Sequence, residues 1–269
     1  MTTLIVVGLL VFVVAIAMTM VGKGGGNFYV VILAIASIPM HEAAATGQFI
    51  LLSASVAAML IFQKNRSVLW PLAVIIGVFT ALSALGGGYF SHYFSGFHLK
   101  LIFGVMLVLA GAVMFLPVAG GQRTANTKTF GLIALKSGGS VYRINLWIAV
   151  PVTVLTGFAA GMVGVSGGSF LVPLMVLACG VSMHAAVGTA ATLIAVTAAM
   201  GFTGHALQGD FNPSWAIPLA VVAVVGGVAG GKLSLKTKPK HLKKLFAFTN
   251  WLAAAFMFVN ALHAQGLRL

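Results

Sequence analysis

The sequence has very few acidic residues and little charge of either sign. Among 269 residues only two are Asp or Glu, and 6% are charged. A soluble α/β protein would need polar faces that alternate with apolar ones, and the long apolar runs of this chain have none. The single cysteine, Cys179, excludes an intramolecular disulfide. We expect no cleavable signal peptide, because Met1-Thr2-Thr3 carries no basic side chain.

Apolar residues make up 60% of the chain. They form runs of about 17 to 23 residues, and a run of about 20 spans a hydrocarbon core about 30 Å thick. We therefore predict an all-α polytopic protein of the cell membrane, with the lipid bilayer as its surroundings. The net charge of +13 is then explained by cytoplasmic loops, and secondarily by an anionic substrate, rather than by nucleic acid.

Five hydrophobic elements in one half of the chain are repeated in the other. Residues 1–119 form the first predicted transmembrane repeat, 120–145 a cytoplasmic linker, and 146–269 the second repeat. The predicted elements of the first repeat are Thr3–Val21, a short Phe28–Ile38, His41–Phe62, Val68–Tyr89 and Leu99–Ala119. Those of the second repeat are Leu146–Val163, a short Phe170–Cys179, His184–Ala206, Trp215–Leu235 and Leu242–His263.

The duplication is visible residue by residue. A glycine cluster and the phenylalanine after it recur at an offset of 142: Gly22, Gly25, Gly26 and Phe28 match Gly164, Gly167, Gly168 and Phe170. At an offset of 143, Met40-His41 matches Met183-His184, and Thr46 matches Thr189. Such self-similarity at one spacing indicates an internal duplication.

The basic residues indicate that the two repeats are inverted. Each short element has about 11 residues and reaches roughly half the bilayer, as the returning arm of a re-entrant hairpin does. With one such hairpin and three spanning helices in each repeat, all but three of the 15 lysines and arginines lie on the cytoplasmic side. A parallel duplication would leave no bias between the two sides. The positive-inside rule therefore favours inversion, with both termini outside the cytoplasm.

The two glycine clusters predict broken helices that together bind an anion. Asn27 and Ser169 are predicted caps of new helices, whose N-termini carry free N–H groups and a positive dipole end. The alternative is that the glycines only permit tight helix packing. The predicted substrate-binding residues at the breaks are Gly22, Lys23, Gly24, Gly25, Gly26, Asn27, Gly164, Ser166, Gly167, Gly168 and Ser169.

These residues also resemble a known family. The repeated G-x-G/S-G-G-x-F pattern, Pro173, Gly188-Thr189 and the whole-length duplication are similar to the TauE/SafE family of sulfite and organosulfonate exporters. The resemblance implies a secondary transporter of small sulfur-containing anions such as sulfite, thiosulfate or sulfonates, without a cofactor. The first repeat departs from the family pattern at Lys23, where an apolar residue is usual, and at Val31, which corresponds to Pro173.

Lys23 is the most informative single residue. A lysine in the middle of a membrane costs from about 2.5 kcal/mol upward unless it is paired or solvated, so it is functional by default. We predict that it contacts the anionic substrate. A structural ion pair with Glu42 is the other interpretation, which a separation of about 15 Å disfavours.

Other polar residues lie at or near the starts of two corresponding helices. His41, Glu42 and His184 are candidates for proton coupling, although a histidine at a helix end is more often an interfacial residue. Thr46, Gln48, Thr189 and Thr192 could line the substrate pathway or bond to their own backbone. No His, Cys or carboxylate set has the spacing of a metal site.

Two other functions compete with transport. Gly164-Val165-Ser166-Gly167 resembles the nucleophile motif of rhomboid intramembrane proteases, with His184 or His205 as the base. Against catalysis, Gly24 replaces the serine in the first repeat, so we expect no enzyme. A passive anion channel would share every feature of the transporter. The anion, the transport direction, the coupling ion and the oligomeric state stay open at this point.

Overall fold

A computed structural model describes residues 2–93, 104–105, 107–112, 114–115, 132–137 and 140–264. The helices of the first half are α1 Thr2–Met20, α2 Gly26–Ile35, α3 Met40–Lys64 and α4 Trp70–Tyr89, followed by a 3-10 turn, Phe90–Tyr93. Those of the second half are α5 Leu146–Val163, α6 Gly168–Pro173, α7 Met183–Ala206, α8 Pro213–Lys236 and α9 Pro239–Ala264. A π-helical turn, Leu174–Ala178, continues α6 directly.

The helices confirm the predicted class, an all-α polytopic membrane protein. Six of the described helices are long and apolar enough to cross a bilayer, namely α1, α3, α4, α5, α7 and α8. The outer surface of the bundle carries large apolar side chains, and Ile5, Leu82 and Val221 are each more than 60% exposed. Exposed aliphatic side chains on this scale are stable only when they face lipid. The helices α2 and α6, even with its π turn, are too short to span.

Two predicted segments are described only in part. The linker 120–145 contains an antiparallel hairpin of two strands, β1 Leu132–Ser137 and β2 Ser140–Asn145, for which the sequence analysis predicted no regular structure. Asn145 then caps α5, since its side chain accepts a hydrogen bond from Trp147 N. The predicted helix Leu99–Ala119 falls largely outside the described residues.

The helices pack in pairs that repeat between the two halves. Helix α3 packs against α8, and its counterpart α7 packs against α4. Helix α1 packs against α8, and its counterpart α5 packs against α4. The two corresponding helices α3 and α7 pack against each other at the centre. Among the described helices, α1 and α3 therefore pack against α8 as their equivalents α5 and α7 pack against α4.

Hydrogen bonds at the helix ends show that α3 and α7 run in opposite directions. Glu42, at the start of α3, accepts a bond of 2.5 Å from Asn212, which caps the start of α8. His184, at the start of α7, bonds over 2.9 Å to the carbonyl of Thr237, which follows the end of α8. Since α8 has 24 residues and is about 36 Å long, the starts of α3 and α7 lie at opposite ends of the bundle.

Candidate functional site

The first helix break joins α1 to α2 through glycines in the left-handed region. Gly22, Gly24 and Gly25 have φ angles of 77°, 69° and 99°, which a residue with a Cβ rarely adopts. Helix α2 begins at Gly26, directly after Gly25. The chain thus turns between the two helices within a few residues, and the left-handed φ angles of this turn require glycine.

The second break has a similar construction. Gly164 ends α5 with a φ of 73°, and α6 begins at Gly168 after Gly167. Ser166 Oγ accepts a hydrogen bond of 3.1 Å from Gly168 N, so the serine side chain stabilises the turn itself. Val165 N donates to the carbonyl of Ala160 over 3.0 Å, which closes the end of α5.

The predicted caps Asn27 and Ser169 are wrong. The residues at the cap positions are Gly25 and Gly167, which correspond between the repeats, and neither has a side chain that could cap. Asn27 lies within the first turn of α2, and its side chain bonds to the other break instead. Ser169 lies within α6, and its Oγ is buried without a partner among the described residues. The glycines start the helices one or two residues earlier because they close the turns without a side-chain cap.

The two breaks lie in direct contact. Ser166 N donates a hydrogen bond of 3.2 Å to Asn27 Oδ1, which joins the two breaks. A Cβ added to Gly26 would lie 2.8 Å from Ser166 N, so only glycine permits this approach. Gly24 lies against Leu51 and Ile194, which are halfway along α3 and α7. The breaks therefore meet at the centre of the bundle.

Several backbone N–H groups at this contact have no acceptor in the described part of the chain. Among the residues that the structure describes, the N–H groups without a hydrogen bond at the breaks are those of Gly24, Gly25, Gly26, Asn27, Gly167 and Ser169. Free N–H groups at helix starts attract anions, because the helix dipole adds a partial positive charge there. The buried contact thus concentrates hydrogen-bond donors on both sides.

Lys23 is buried at the first break and points to α9. Its side chain is 3% exposed, and its Nζ donates to the carbonyl of Phe246 over 2.9 Å and to Thr249 Oγ1 over 2.7 Å. Nζ also lies 4.4 Å from the centroid of the Phe246 ring, a cation–π geometry. In the described part of the chain no ion pair joins it to an acid: Glu42 is bonded to Asn212, and Asp210 lies beside His205. This ammonium therefore lacks a carboxylate partner.

The polar side chains of α3 and α7 that were predicted to line the pathway differ in their hydrogen bonds. Gln48 Nε2 donates to the Ala160 carbonyl over 2.9 Å, just before the second break, while its Oε1 has no described partner. The hydroxyls of Thr46 and Thr192 are buried and likewise unpartnered in the described structure. Thr189 differs, because its Oγ1 accepts from Leu69 N over 3.0 Å at the start of α4. Three of the four predicted pathway residues thus have a buried polar atom without a hydrogen-bond partner in the described structure.

The three proton-coupling candidates separate between the two ends of the bundle. His184 lies at one end, beside Thr237, whereas His41 and Glu42 lie at the other, with Glu42 bonded to Asn212. Asp210, which was not among the predicted residues, also lies at this second end, and as one of only two acids in the chain it was recognisable from the sequence. Among the described residues, no group of three or more His, Cys, Asp or Glu side chains could hold a metal ion.

Known proteins resemble this chain over most of its length. The model of the family described as sulfite exporter TauE/SafE matches residues 7–257. A probable membrane transporter protein, YunE of Bacillus subtilis, is 23% identical over 89% of this chain and 90% of its own length. Probable membrane transporter protein MJ0441 of Methanocaldococcus jannaschii is 22% identical over 95% of this chain and 94% of its own.

A probable membrane transporter protein of Xylella fastidiosa is 26% identical over 61% of this chain and 57% of its own length. No solved structure matches the chain. The family match agrees with the duplicated glycine breaks and with the six membrane-length helices. The chain is a multi-pass membrane protein that belongs to the sulfite exporter TauE/SafE family of membrane transporters.

Proposed function

We propose that this protein is a secondary transporter that exports small sulfur-containing anions, such as sulfite, thiosulfate or organosulfonates. The anion binds near the middle of the membrane, between the two glycine breaks. Family membership supports the class of substrate. The protein works without a cofactor, and its substrate and the lipid bilayer are its partners.

The observation that carries this proposal is the contact between the breaks. Among the described residues, the N–H groups of Gly24 to Asn27 in one break and of Gly167 and Ser169 in the other have no acceptor, and the two breaks meet at a buried contact of two short helix starts. Oxyanions of sulfur offer several acceptor oxygens and match such a set of donors. A cation would find no carboxylate at these breaks, since the chain has two acids and neither belongs to them.

Lys23 provides a positive charge at this site when an anion binds beside it. Its ammonium has three donors, of which Phe246 O and Thr249 Oγ1 take two. The third donor remains for an anion that enters between the breaks. The same contacts join the first break to α9. Substrate binding at Lys23 would therefore change the hydrogen bonds between Lys23 and that helix.

We further propose that the two repeats are inverted in the cell membrane, with both termini outside the cytoplasm. The opposite directions of α3 and α7 support inversion, because a parallel duplication would make corresponding helices run the same way. Glu42 and Asn212 lie at one end of α8, whereas Lys232 and Lys236 lie toward its other end. This separation agrees with a cytoplasmic basic end.

The geometry does not favour a protease. Ser166 Oγ accepts from Gly168 N, and the two histidines considered as its base bond to backbone carbonyls elsewhere. His184 bonds to Thr237 O and His205 to Gly161 O, each over 2.9 Å. A nucleophile and its base need hydrogen-bond contact, so we propose a transporter that is not an enzyme.

The proposal is tested by ligand binding and by exchange. Purified protein should melt at a higher temperature with sulfite, thiosulfate, taurine or sulfoacetate than with chloride, because a ligand stabilises the state that binds it. In proteoliposomes, an unlabelled internal anion should accelerate uptake of the labelled one. Binding without such accelerated exchange would favour a passive channel, and stabilisation by chloride alone would contradict the proposed substrate class.

A further inference from the structure

His205 and Asp210 form a buried ionisable pair that plays no part in the anion site. His205 is fully buried near the end of α7, and its Nδ1 lies 3.6 Å from Asp210 Oδ2. The Asp210 side chain is 14% exposed, so it connects the buried ring with the surface. Nδ1 itself is buried without a partner at hydrogen-bond distance in the described residues.

The backbone holds this pair together. Gly209 N donates to the carbonyl of Ala206 over 3.1 Å, and Asp210 N donates to that of His205 over 3.4 Å, with Gly209 at a φ of 84°. These are the two bonds of a Schellman motif, which brings the residue after the glycine back against the last turn of the helix. The Schellman motif therefore determines that Asp210 lies beside His205.

The hydrogen bond at Nε2 defines where a proton can bind. His205 Nε2 lies 2.9 Å from the carbonyl oxygen of Gly161, and a carbonyl only accepts, so Nε2 carries the hydrogen. In the neutral ring Nδ1 is then the free acceptor. A proton taken from water adds to Nδ1, and the resulting cation faces the carboxylate of Asp210.

The other repeat lacks this pair at the equivalent position. Phe62 and Ser67 correspond to His205 and Asp210 at an offset of 143. The same motif is present there, since Ser67 N donates to Phe62 O over 2.9 Å and Arg66 has a φ of 54°. The fold therefore accepts phenylalanine and serine at these places. Packing does not require a buried histidine opposite a carboxylate, and only one end of the bundle has one.

The other ionisable residues near the pair belong to the starts and ends of the neighbouring helices. His41, at the start of α3, and Asp210 both lie close enough to His205 to act on its charge. The neighbouring Glu42 is bonded to Asn212, so both acids of the chain belong to this end. Helix α5 contributes no ionisable side chain, and Tyr89 is the ionisable residue of α4.

The pair is also linked to the second break. The carbonyl of Gly161, which accepts the hydrogen bond from His205 Nε2, belongs to the last turn of α5, directly before Gly164. Protonation would shorten the 3.6 Å separation of Nδ1 and Asp210 to about 2.8 Å, the length of a charge-assisted hydrogen bond. The ring would then move by several tenths of an ångström relative to Gly161. Because Gly161 precedes the break by one turn, the hydrogen bond at Nε2 connects this ring with the proposed anion site.

We propose that His205 Nδ1 and Asp210 form a proton-binding site that couples anion transport to proton movement from the face opposite the basic loops. This inference rests on the proposed transport function. It assigns the coupling ion to the proton, and it places the site at a pair that includes neither His184 nor Lys23.

The test uses purified protein in proteoliposomes with two readouts. Labelled thiosulfate, the anion of a strong acid that carries no proton near neutral pH, reports exchange at equal pH on both sides. A trapped pH dye reports proton movement driven by a thiosulfate gradient. The variants are His205→Phe, which copies the first repeat, and Asp210→Asn, which preserves shape. His241→Gln removes an exposed histidine as a control.

We expect the wild-type protein and the control to show both exchange and proton movement. Both pair variants should retain exchange and lose at least tenfold in proton movement per thiosulfate transported. Exchange without proton movement in the wild-type protein, or wild-type coupling in Asp210→Asn, would overturn this proposal alone. Absence of exchange with every sulfur anion in the wild-type protein would instead overturn the proposed function, and this inference with it.

Discussion

Replacement of Gly26 by alanine should separate the two breaks and weaken anion binding. The added Cβ would lie 2.8 Å from Ser166 N and 3.0 Å from the carbonyl carbon of Val165, both backbone atoms of the other break. Ordinary contact begins near 3.4 Å, so the breaks must move apart by roughly 0.6 Å. The bond from Ser166 N to Asn27 Oδ1, already 3.2 Å, would then exceed hydrogen-bond length.

The energetic cost follows from these contacts. Overpacking of this kind costs about 1–3 kcal/mol, and the lost hydrogen bond about 1 kcal/mol more. Alanine returns up to about 1 kcal/mol through its better helix propensity at the start of α2. An anion held from both sides would lose one charge-assisted contact, about 1.5–3 kcal/mol, or roughly 10- to 150-fold in affinity.

The assay measures thermal unfolding and its response to sulfite or thiosulfate. Gly86→Ala is the matched control, because a Cβ at this glycine of α4 would meet nothing within 4 Å. We expect the control to bind the anion like the wild-type protein, and Gly26→Ala to melt earlier with a weaker response to anion. Equal ligand responses in Gly26→Ala and in the control would refute the site between the breaks.

Three further predictions follow from the same contacts. Lys23→Met should fold, because it removes an uncompensated buried charge, and should weaken anion binding roughly 10- to 150-fold; unchanged binding and counterflow would contradict a charge at the site. Asn27→Ala should destabilise the protein by about 1–3 kcal/mol, since Ser166 N loses its only described acceptor, whereas an unchanged melting temperature would show that this bond contributes nothing. Single cysteines at Asn65 and Gln208, which are exposed and equivalent at the offset of 143, should react with impermeant reagent from the cytoplasm and from outside respectively, in a variant without Cys179. Labelling of both from one side would rule out inversion, because a parallel duplication places equivalent positions on the same side.

The positions of the two breaks could be predicted from the sequence, but their caps could not. Their positions were predictable, because glycine clusters inside apolar runs break helices and the same cluster occurs twice. Their caps were mispredicted, since Asn27 and Ser169 have the residue types of caps, whereas left-handed glycines closed both turns without side-chain help. A propensity describes an isolated helix start, and here the start is determined by the neighbouring break.

At the candidate site, too, the sequence indicated which residues are unusual but not which residues they contact. Lys23 was recognisable as exceptional from its position in an apolar sequence, but its partners Phe246 and Thr249 lie more than 220 residues away along the chain. Asp210 was one of two acids and could have been noticed. Its pairing with His205 depends on a Schellman turn and on the approach of Gly161, which no local pattern reports.

The sequence by itself determined the membrane class, the duplication, the places of the two breaks and the approximate helix bounds. These follow from hydropathy, spacing and glycine, which act locally and are written along the chain. Only the tertiary structure decided that the breaks touch through Asn27 and Ser166, that Lys23 bonds to α9, and that both acids lie at one end of the bundle. Such contacts join residues that are distant along the chain, and they form only when the two repeats pack against each other.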